Sequence, residues 1–139
     1  MPAFPLRQRD ARLRVPHLAT TEGGPAMLNY AVLIFAVAAV GGLVLAAHVL
    51  RGKLAPWAVS VVHALLGAAG LITLIAMLLQ GGAPGRLTAA LGLLVLAALG
   101  GFYLASFHLR GKVAPKAVVI VHAGVAVVGF LTLASLLFG

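Results

Sequence analysis

Cysteine is absent from the 139-residue chain, and only two of its residues, Asp10 and Glu22, are acidic. The first absence removes disulfides, thiolate metal sites, iron–sulfur clusters and the thioether attachment of c-type haem, so any cofactor must be held by histidine or backbone. The second leaves everything beyond Glu22 without a carboxylate. Charged residues make up 9% of the chain against 63% hydrophobic, with a mean hydropathy of +1.14. No water-soluble domain of this size hides that much apolar surface in one core, so lipid must solvate most of it. The net charge of +8 comes from ten basic residues in a short tail and in loops. They form no stripe interleaved with aromatics, which argues for a basic membrane surface and against nucleic acid.

Residues 1–26 carry Pro, Gly, Thr and four arginines without helical periodicity and read as a mobile basic tail. The run that follows is longer than the apolar core of a signal peptide and ends at His-x-x-Arg, not at a small-residue cleavage site, so it reads as a retained first span. Met27 is a second candidate start codon. Residues 27–139 then form one transmembrane domain with apolar runs at about 28–50, 56–80, 86–109 and 115–138. With a rise of about 1.5 Å per residue, each run is long enough to cross roughly 30 Å of hydrocarbon as a helix. Pro56 and Pro115 fall where a first helical turn tolerates proline. The strict alternation of a barrel strand is missing.

The two halves match each other. Setting His122 against His63, an offset of 59 residues, aligns the GG pairs at 41–42 and 100–101, RGKLAP with RGKVAP, and VHA with VHA. About half the positions from Ala38 to Leu78 are identical to their counterparts, more than shared hydrophobicity produces. The expected fold is all-α: an integral membrane four-helix bundle from a tandem duplicated helical hairpin, with a pseudo-two-fold axis along the membrane normal.

Each span holds one histidine: His48, His63, His108 and His122. All fall toward one membrane face, His63 and His122 roughly 10 Å deep and His48 and His108 within about 3 Å of their helix ends. Intramembrane polar side chains face the bundle interior, where a partner or ligand offsets desolvation. No Asp, Glu or Lys in the membrane interior offers itself to an imidazole. Two imidazoles at one depth suit a metal between them, and haem iron takes two axial imidazoles, so a bis-histidine haem b on His63 and His122 is the economical proposal. Gly41, Gly42, Gly100 and Gly101 at that depth, with Gly70 and Gly129 seven residues beyond the deep histidines, are expected to make room for the porphyrin. His48, His108, Arg51, Lys53, Arg110 and Lys112 are candidates to hold its propionates. A two-haem variant pairs His48 with His63 and His108 with His122, against a depth mismatch of roughly 7 Å.

Each feature has a plainer reading. Glycines spaced this way let bare helices pack closely, RGK loops anchor topology, and membrane histidines hydrogen-bond to neighbouring helices. These readings describe a cofactor-free packing subunit of a larger membrane complex. Pigment binding and small-molecule transport stand behind it, the latter disfavoured because four-span proton-coupled exporters need a membrane carboxylate.

The four spans with His63 and His122 resemble the small four-helix b-type cytochromes of bacterial membranes, the cytochrome b561-like group. The resemblance covers roughly residues 27–139 and includes no longer diagnostic motif. It implies an electron-transfer protein rather than a stand-alone enzyme, located in the bacterial cytoplasmic membrane, with a quinone or a membrane redox protein as partner. The chain departs from two-haem members in having no histidine near Tyr30, Gln80, Arg86 or Phe138, at the opposite face, which puts a complete transmembrane electron path in doubt. Arg51, Lys53, Arg110, Lys112 and Lys116 orient the histidine-side loops toward the cytoplasm.

Overall fold

The computed structural model describes residues 23–81 and 85–139. Four helices account for nearly all of them: α1 Gly23–Leu50, α2 Trp57–Leu79, α3 Gly85–Leu109 and α4 Lys116–Ala134, the last continued by a 3₁₀ turn over Ser135–Phe138. No strand occurs among the described residues. The expected spans are all present, with one change of boundary. Helix α1 begins at Gly23, so residues 23–26 belong to the helix rather than to the tail; the remainder of the expected tail, 1–22, lies outside the described residues.

The RGK segments show why the spans stop where they do. Gly52 and Gly111 adopt φ of 73° and 65°, a left-handed conformation that costs glycine little. In each turn the glycine N–H donates to the carbonyl three residues back, and the following lysine N–H donates to the carbonyl five residues back. Gly52 thus bonds Val49 and Lys53 bonds His48; Gly111 bonds His108 and Lys112 bonds Phe107. This double closure satisfies the last helical carbonyls and reverses the chain sharply. Pro56 and Pro115 then sit in extended backbone just ahead of α2 and α4.

Helix α1 packs most extensively on α2 and α3 on α4, while α1 against α4 and α2 against α3 close the ring. Helices α2 and α4 therefore stand diagonally. Ala31, Phe35, Leu74, Leu87, Ala90, Leu94 and Leu133 form the principal core, with Leu74 and Leu133 fully buried. These residues lie toward the end of the bundle remote from the RGK turns. Leu33, Leu43, Leu65, Ile72, Leu96, Ile120 and Leu131 point outward and are more than half exposed. An apolar exterior on four helices, each long and apolar enough to cross a membrane, makes this a transmembrane four-helix bundle.

Hydroxyls in the spans follow the same solvent logic. Thr73 donates to Ala69 O at 2.9 Å and Thr132 to Val128 O at 2.8 Å, so each polar group is satisfied by its own helix where lipid offers no acceptor.

Candidate functional site

His63 on α2 and His122 on α4 meet across the bundle, with ring centroids 6.3 Å apart and planes inclined at 75°. Each ring is held by a neighbouring helix of its own hairpin. Nδ1 of His63 bonds the Ala38 carbonyl of α1 at 2.9 Å, and Nδ1 of His122 bonds the Ala97 carbonyl of α3 at 2.8 Å. A carbonyl only accepts, so in both rings Nδ1 must carry the proton. In the neutral imidazole this leaves the lone pair on Nε2, the donor form that metal-binding histidines take when a carbonyl holds the other nitrogen.

The carbonyls are reachable because of the glycines that follow them. A β-carbon on Gly42 would lie 3.1 Å from Cε1 of His63, and one on Gly101 would lie 3.4 Å from Cε1 of His122. A β-carbon on Gly41 would likewise lie 3.7 Å from Cβ of His63, and one on Gly100 3.5 Å from Nδ1 of His122. The expectation that these four glycines border a porphyrin takes a different form here: the groups that occupy their missing side-chain volume are the imidazoles themselves. Gly70 and Gly129 stand apart from the histidines. The Phe35 ring fills the space over Gly70, within 2.6 Å of a hypothetical β-carbon, and Leu93 and Leu94 fill the space over Gly129 at 3.0–3.2 Å. Their role in the structure is close helix packing in the apolar core.

The shallow histidines do not join the deep pair. His48 turns Nδ1 back to Val44 O of its own helix at 2.8 Å, while His108 meets the edge of Trp57 with ring centroids 4.4 Å apart. Arg51, Lys53, Arg110 and Lys112 extend into the surroundings on the turns above. The Trp57 contact was missed from sequence, because the register slip that carries histidine from position 48 to 108 gives no indication of the partner it acquires.

No group of three or more histidine, cysteine or acidic side chains converges among the described residues. The donor set is therefore two imidazoles, too few for a closed all-protein metal cage but the number of axial ligands a six-coordinate haem requires. Beside the pair, a cleft of about 230 Å³ opens between α3 and α4, walled by Gly100, His122, Leu96, Leu99, Val121 and Val125. Neither a family model, nor a curated protein, nor a solved structure matches this chain.

Proposed function

We propose that the protein is a membrane b-type cytochrome that binds one haem b through His63 and His122. The observation that carries this reading is the neighbouring imidazole pair, with ring centroids 6.3 Å apart and each ring anchored through Nδ1 to a main-chain carbonyl. Haem, when bound, would supply reversible one-electron chemistry. The chain's own contribution is positional. Ala38 and Ala97 select the ring tautomer, Gly41, Gly42, Gly100 and Gly101 let the rings seat deeply, and the apolar exterior keeps water away. Arg51, Lys53, Arg110, Lys112, His48 and His108 lie on the side toward which propionates would rise. The repeated contacts fit a duplicated hairpin with a pseudo-two-fold axis along the membrane normal. A quinone or a partner subunit at the histidine-rich side, in the cytoplasmic membrane of a bacterium with these loops inward, completes the reading.

A second reading, a cofactor-free packing subunit, is favoured by one observation. Gly42 already accommodates an imidazole edge tightly, and the cleft beside His122, at about 230 Å³, is below the roughly 300–1,000 Å³ of ordinary small-molecule pockets. The absorption spectrum of the purified protein separates the two. A reducible Soret band with sharp α and β bands is expected for haem; far-red bands would mean pigment, and a colourless protein that also fails to take up added haem would mean a bare bundle. His63→Ala and His122→Ala are each expected to abolish the low-spin signal, with His48→Ala only shifting the potential. Unchanged spectra in both deep variants would remove the ligand assignment.

A further inference from the structure

Beyond the histidines, the most polarised feature of the molecule is the face that carries the two RGK turns. Arg51, Lys53, Arg110, Lys112 and Lys116 all stand exposed there. The sequence after Glu22 contains no acidic side chain, so none of these five cations has an acidic side-chain partner within residues 23–139. The opposite end is different: Arg86 donates to the Gly139 carbonyl at 3.0 Å and is the single cation among the described residues there.

Two helix ends reinforce the asymmetry. Helices α2 and α4 both begin on the basic face, and neither Pro56 nor Pro115 provides a side-chain cap. Hydrogen bonding begins only at Ser60 and Val118, whose N–H groups donate to Pro56 and Pro115 respectively. The first-turn N–H groups, at the positive ends of two helices, are left to an outside acceptor. Trp57, more than half exposed, opens α2 at the same end of the bundle. An exposed tryptophan at the end of a span settles at headgroup level, which sets the neighbouring cations among lipid phosphates.

We propose that this face binds the headgroup phosphates of anionic phospholipids, with Arg51, Lys53, Arg110, Lys112 and Lys116 as the cationic contacts and the open N-termini of α2 and α4 as additional donors. The proposal does not rest on haem: a haem brings two propionates, fewer than the five cations present. A lipid source, rather than a soluble anion, follows from the place of these cations at the span ends beside Trp57, because cations held at headgroup depth meet phosphates concentrated in the plane of the membrane.

The test uses the full chain in neutral detergent, titrated separately with phosphatidylglycerol, phosphatidylcholine and inorganic phosphate and followed by native mass spectrometry and thermal unfolding. Phosphatidylglycerol is expected to bind with a preference on the order of tenfold over phosphatidylcholine, to raise the melting temperature, and to lose both effects at high salt. The pair Arg51→Gln and Arg110→Gln should reduce the preference several-fold, while Arg86→Gln should leave it intact. Equal binding of the two lipids by the unaltered protein would overturn the proposal whatever the variants do. So would an equal effect of inorganic phosphate, or an equal loss from Arg86→Gln.

Discussion

Hairpin α1–α2 and hairpin α3–α4 solve the same problem at their centres and different problems at their rims. At the centre the correspondence reaches individual atoms: each imidazole bonds a carbonyl 25 residues earlier, and each lies over a glycine pair. Leu74 and Leu133, which align with each other, are both fully buried. Away from the histidines the hairpins part. Phe35 covers Gly70 where the aligned Leu94 covers Gly129, and Trp57 occupies the position that Lys116 holds in the other hairpin. The difference teaches where geometric demand is concentrated. A ring that must reach a main-chain carbonyl leaves little room for a β-carbon beside it, whereas a rim exposed to headgroups accepts many side chains.

Substitutions that make one hairpin imitate or violate the other probe this contrast. The largest effect is expected at Gly70. Its alanine variant brings a β-carbon to 2.6 Å from the Phe35 ring, against 3.0 Å from Leu94 at Gly129. Gly70→Ala should therefore destabilise the bundle by about 1–3 kcal/mol, the usual range for overpacking, and Gly129→Ala by less. Adding Phe35→Leu, which copies the second hairpin, should recover much of the loss in thermal unfolding.

A smaller effect is expected at the imidazole seats. Gly42→Ala must displace a ring edge now 3.1 Å away, whereas Gly101→Ala meets its ring at 3.4 Å, the border of ordinary contact. The first should cost on the order of 1 kcal/mol and shift the His63 Nδ1–H resonance as its bond to Ala38 lengthens. The second should move neither reading appreciably. An effect smaller than that of Gly42→Ala is expected from Trp57→Lys, which copies Lys116 and removes the edge contact with His108. At a site this exposed, about 0.5 kcal/mol is at stake, and chemical shifts on α3 should report it more clearly than stability does.

Much of this architecture was legible in the residue order, because lipid imposes a demand that composition cannot disguise. Twenty or so apolar residues in succession announce a span, and that is why α2, α3 and α4 begin and end within a few residues of their expected limits. The start of α1 was less legible: Gly23, Gly24 and Pro25 look like a loop, yet they form the first turn of a helix. At the candidate site, the depth of His63 and His122 followed from counting residues. Their acceptors did not, since a main-chain carbonyl leaves no mark in a sequence. For the same reason the protein neighbours of the glycines were not legible: absence of a side chain shows that something approaches closely, and only coordinates show that an imidazole lies beside 42 and 101 and a core side chain beside 70 and 129.

Anchoring the two rings on peptide oxygens has a genetic consequence. Every amino acid carries that oxygen, so no codon change at 38 or 97 can delete the acceptor. The orientation of both rings is thereby shielded from single-base drift at those two positions, and vulnerable only to changes that bulk up the approach or unwind the helix beneath it.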